Sequence, residues 1–100
     1  MQHKDLADGR WFTMTLAEQL GNVGSEYSRA VSSRKRNDQA KFEGASKRFL
    51  ELLDLTINDP RWSAARKREF LRLREVGCAD YPENLQAYFD QFALMARKNS

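Results

Sequence analysis

Histidine and cysteine are nearly missing from this chain, with one of each, His3 and Cys78, among 100 residues. A lone cysteine cannot pair within the chain, so no disulfide framework holds the fold, and a reducing compartment suits it. The only histidine lies in the polar N-terminal stretch, which leaves no Ser–His or Cys–His pair for nucleophilic catalysis. Metal-ligand spacings are missing too, and no Glu-x-x-His pair of the kind that binds metal inside helical bundles occurs. Phosphate-loop patterns, GxGxxG and GxxxxGK[ST], are likewise absent. No apolar run approaches the roughly 20 residues that a membrane-spanning helix needs. Residues 1–10 carry Asp5 and Asp8 and form neither a secretory h-region nor an Arg-rich transit peptide, so the expected home is the cytoplasm.

Turn and strand breakers are scarce as well: two prolines and five glycines in the whole chain. Leu, Ala, Glu, Lys, Arg and Gln, the straight-chain helix formers, fill most of the rest. The sequence is 41% hydrophobic and 31% charged, which is the balance of a folded globular protein. No segment alternates β-branched or aromatic residues with polar ones, which excludes strands. These features predict a single all-α domain over residues 11–98, preceded by a flexible tail at 1–10.

Four helical segments can be read from the apolar spacing. Thr15 and Glu18 form a capping box, since a threonine hydroxyl and a glutamate three residues later satisfy two orphan backbone N–H groups. Leu16, Leu20, Val23, Tyr27, Ala30 and Val31 then line one face as far as Arg34, Lys35 and Arg36, whose charge suits a helix C-terminus. Asn37 and Asp38 supply a turn and an N-cap. The second helix carries Phe42, Ala45, Phe49, Leu52, Leu53 and Thr56, widened by Leu50, Leu55 and Ile57, as expected of a helix held between two neighbours. Asp59 with Pro60, or else Ser63, opens the third helix. Its expected inward set is Trp62, Ala65 or Ala64, Phe70, Leu73 and Val76, with Leu71 at the edge and Gly77 as a C-terminal left-handed residue. The last helix begins near Tyr81 and Pro82 and turns Leu85, Tyr88, Phe89, Phe92, Met95 and Ala96 inward. Short turns between four amphipathic helices give an up-down antiparallel four-helix bundle. Trp11, Phe12 and Met14, too apolar to stay in water, fold back onto it.

One side of the first helix is nearly bare, because Ala17, Gly21, Gly24 and Ser28 follow one another at steps of four, three and four. Glycine costs a helix interior about 1 kcal/mol relative to alanine. Two of them imply that another helix or a bulky ring lies close.

The segments Leu16–Glu26 and Leu50–Thr56, together with Leu73, Arg74 and Glu75, resemble a set of short, functionally uncharacterised prokaryotic helical proteins. That resemblance implies a prokaryotic cytoplasmic protein and brings no activity with it.

The remaining polar residues offer three sites to weigh. Asn22, Glu26 and Arg29 flank the apolar stripe of helix one. They are read either as a partner-binding notch, together with the ring-bearing entrances Trp11 and Trp62, or as an inter-helix contact in which Glu26 pairs with Arg74 or another helix-three arginine. Charge is uneven: residues 60–79 hold six cations against two carboxylates, a local +4, while residues 37–59 hold three against five. Arg66, Lys67, Arg68, Arg72 and Arg74 therefore make a candidate nucleic-acid face. Cys78 has the setting of a small turn residue rather than of a reactive thiol. The expectation is a non-enzymatic module without cofactor or metal. Its partner is a protein or a second copy of itself, and nucleic-acid binding through helix three is the alternative.

Overall fold

A computed structural model describes residues 9–80 and 84–98, in which a short 3-10 turn, Trp11–Thr13, precedes four helices. These are α1 (Leu16–Lys35), α2 (Gln39–Ile57), α3 (Ala64–Asp80) and α4 (Asn84–Lys98). The fold is an all-α four-helix bundle, with no strand among the described residues. Residues 1–8 of the expected tail, and Tyr81 and Pro82 at the expected start of the last helix, lie outside the described residues. So does the side chain of Cys78.

The first boundaries follow from local chemistry. Thr15 Oγ1 accepts from the Glu18 backbone N–H at 3.1 Å while the Thr15 N–H donates to Glu18 Oε1 at 2.9 Å, closing the capping box. α1 ends where Asn37 turns left-handed, at φ 59°, a conformation that asparagine tolerates better than most residues. Asp38 then caps α2 by accepting from the Lys41 N–H. At the next junction Ser63 is the cap, its hydroxyl accepting from the Arg66 N–H, and α3 starts at Ala64. Asp59 is not a helix cap: it is buried under a turn and serves the site described below.

α1 is the spine. It packs against both α2 and α4, and α3 leans mainly on α2. Leu20, Val23, Tyr27 and Ala30 are fully buried, as their spacing predicts, and Trp11 folds back into the same core. At the centre, Tyr27 of α1, Phe49 of α2 and Phe89 of α4 meet with ring centroids 5.4 to 6.1 Å apart, in tilted and edge-on contacts that suit ring quadrupoles.

Two glycines make room for two of those rings. A Cβ built on Gly24 would lie 2.4 Å from Phe89 Cβ, and one on Gly21 would lie 3.3 Å from the Ala93 backbone. The bare side of α1 is thus the bed of α4. Gly77 does the same for Phe49, whose Cζ is 3.1 Å from its would-be Cβ. α3 runs through Gly77 in helical conformation to Asp80, so this glycine marks a close approach and not the helix end.

Three inward expectations fail together. Ala65, Val76 and Met95 are exposed, Val76 at 43% and Met95 at 48%, and Ala64 is exposed as well. The reason is the placement of α3, which comes near α4 at few points among the described residues.

Candidate functional site

The most concentrated polar chemistry lies at the end of the bundle where the N-terminal turn meets the α2–α3 connection. Two indoles brought there need acceptors. Trp11 Nε1 donates to Thr56 Oγ1 at 3.2 Å, and Thr56 passes its own proton back to the Leu52 carbonyl at 3.1 Å. Trp62 Nε1 donates to Gln19 Oε1 at 2.9 Å. The Gln19 amide then donates to the Trp11 carbonyl at 3.0 Å and to Asp59 Oδ2 at 2.9 Å. Trp11, Gln19, Thr56 and Asp59 are all fully buried, so each bond replaces one that water would have made.

Asp59 is the hub of this clasp. Its carboxylate accepts from the Arg61 backbone N–H at 3.0 Å and from the Arg61 guanidinium through Nε and Nη2, the shortest contact being 2.6 Å. Arg61 also donates to the Met14 carbonyl at 2.6 Å and lies 4.4 Å above the Trp62 ring, a cation–π distance. Burial alone would raise the Asp59 pKa. The hydrogen bonds from the Arg61 side chain, the Arg61 backbone and Gln19, with the nearby charge, outweigh burial and hold it to about 2. A carboxylate so depressed, with its lone pairs occupied, does not accept a proton near neutral pH. The clasp ties Trp11–Met14 to the bundle; its chemistry is structural.

Glu26 is buried, and it holds two arginines: Arg29 one turn on at 2.6 Å and Arg48 of α2 at 2.9 Å. The expected pairing with helix three does not form, because α2 rather than α3 is the neighbour of α1 on that side. Arg74 instead pairs with Asp54 of α2 at 2.9 Å. Asn22 is exposed, its amide donating to the Glu18 carbonyl in its own helix at 2.8 Å. Of the residues expected at a partner-binding notch, Trp11 and Glu26 are therefore interior and internally bonded, Trp62 is half-buried, and Asn22 and Arg29 are exposed.

The five candidate cations of helix three divide in the same way. Arg74 is held by Asp54, and Arg66 pairs with Glu69 at 3.2 Å. Lys67, Arg68 and Arg72 have no ion-pair partner among the described residues.

What α3 and α4 leave between them is an open seam. Tyr88 of α4 donates to the Glu69 carboxylate of α3, so these two residues mark the facing stripes. Burial and the adjoining Glu69 carboxylate push the Tyr88 phenol above its ordinary range, which keeps it a donor. Seven residues on from each, two helical turns away in opposite directions, stand Met95 and Val76, the two half-exposed residues noted above. Leu85, Tyr88 and Phe92 are themselves only partly covered. Arg68 and Arg72 of α3 are exposed.

Comparison of the chain with protein-family models, with curated proteins and with solved structures finds no match. Among the described residues no three His, Cys, Asp or Glu side chains converge as metal ligands, and no helix is long and apolar enough to cross a membrane.

The clasp escaped the sequence reading, although signals for it exist. Gln19 sits three residues after Leu16 and four before Val23, inside the apolar stripe, where a polar residue must find a partner. Asp59 followed two residues later by Arg61 is the spacing of a side chain folding back on its own turn.

Proposed function

We propose that this chain is a non-enzymatic, cytoplasmic interaction module that self-associates through the seam between α3 and α4. One observation carries the reading: Ala65, Val76 and Met95, which the amphipathic pattern writes as core, stay exposed on α3 and α4. A stripe patterned for burial but uncovered within its own chain is an interface feature. A second copy fits it by symmetry, since an apolar stripe met by its own two-fold mate is buried on both chains at once. An interface of this extent is small, and association is expected to be weak and concentration-dependent.

Sedimentation equilibrium over a wide concentration range tests this. The expected result is a mass rising from one chain towards two; a strict monomer at every concentration would overturn the reading. Lys67, Arg68 and Arg72, unpaired among the described residues, support a second reading, contact with nucleic-acid phosphates. Titration of a mixed duplex and a single strand at low salt, where such contacts are strongest, decides it, and absence of binding there ends it.

A further inference from the structure

A different surface carries the second proposal. The last turns of α1 and the start of α2 enclose a groove of about 310 Å³ lined by Ser28, Arg29, Ser32, Ser33, Arg36 and Lys41. We propose that this groove binds a single phosphate group, free or as a phosphoester.

The serine hydroxyls are the first argument. Serine inside a helix usually bonds back to the carbonyl four residues earlier, as Ser25 does to Gly21 at 3.2 Å. The hydroxyls of Ser28, Ser32 and Ser33 make no such bond among the described residues. Ser33 is the most enclosed of the three, with only 3% of its surface exposed, and what it shows lines the groove. Hydroxyls not committed to their own helix can each donate to a ligand oxygen in the groove.

Charge is the second argument. Three cations line the groove and no carboxylate does. The Arg36 guanidinium has no ion-pair partner among the described residues. Lys41 reaches Asp38 only at 3.9 Å. Arg29 holds Glu26 through one nitrogen and keeps the other arm of its fork, since its side chain is 62% exposed. Three hydroxyl donors and three cations exceed what the two oxygens of a carboxylate can use. They suit the three or four oxygens of a tetrahedral phosphate, which arginine forks bind in bidentate fashion.

The test is a nuclear magnetic resonance titration of the full chain with inorganic phosphate, against sodium chloride at matched ionic strength. Saturable shifts confined to residues 28–41 are expected with phosphate and not with chloride. Arg36→Gln, an exposed position, should weaken binding about tenfold, the loss of one charge-assisted contact. Ser33→Ala should weaken it several-fold, and both variants should keep the melting temperature of the parent. Phosphoserine and dimethyl phosphate, titrated in parallel, separate a monoester ligand from a diester. Shifts that are equal for phosphate and chloride would overturn the proposal, as would phosphate binding indifferent to Arg36→Gln. The second variant keeps the test decisive if Ser33→Ala fails to fold.

Discussion

Gly24→Ala is expected to cost about 3 kcal/mol of stability, the upper part of the range for forcing extra carbon into a packed core. The new Cβ would lie 2.4 Å from Phe89 Cβ, the stiff root of a ring locked between Tyr27 and Phe49, so α4 itself must move off α1. For a domain of this size the melting temperature should fall by roughly 15 °C. Gly21→Ala should lie in between, because its Cβ would meet the Ala93 backbone at 3.3 Å. Gly44→Ala should go the other way. Its nearest neighbour is the mobile end of Arg48 at 3.4 Å, and alanine favours the helix by about 1 kcal/mol. Thermal denaturation of the three variants gives the ranking, and equal losses at all three would contradict the α1–α4 packing.

Asp59→Asn is expected to remove about 3 kcal/mol at neutral pH, the scale for breaking one partner out of a buried charged pair. The amide keeps the shape but presents a donor where Arg61 and Gln19 both need acceptors. The pH dependence has a defined sign. The folded carboxyl titrates at about 2, below its ordinary 3.8, so its contribution is fully present above about pH 4 and is lost as pH falls towards 2. That depression corresponds to about 2 kcal/mol. Urea unfolding between pH 7 and pH 2 should therefore show the parent converging on the variant at the acid end. A parent–variant gap that persisted unchanged at pH 2 would place the role of Asp59 elsewhere.

What was legible in the sequence is what local chemistry dictates. Thr15 and Glu18 cap α1 whatever surrounds them, and Gly21 and Gly24 announce a close neighbour because a helix does not tolerate them idly. Periodicity is weaker evidence. It marks Val76 and Met95 as apolar positions on apolar faces, yet it does not say that another helix of the same chain reaches them. Pair identities are weaker still: Glu26 found Arg48 because α2 lies beside it, a fact of packing that spacing along α1 cannot contain. Gly77 looked like a helix stop, since nothing in its neighbourhood signals that the Phe49 ring needs its missing side chain. The clasp was hidden for a related reason, as its six residues come from three separate stretches of chain.

The seam reading also explains why the distinctive polar groups of the interior offer so little to a partner. Gln19, Asp59 and Glu26 are occupied by the bundle itself, which leaves function to surface that the bundle does not cover. Met95→Glu tests this most directly, since an exposed position should accept the charge without loss of fold. In sedimentation equilibrium beside the parent, the variant is predicted to stay at the mass of one chain at concentrations where the parent approaches two, with an unchanged melting temperature in dilute solution. A variant that associates as strongly as the parent would contradict the assignment of the α3–α4 seam as the interface.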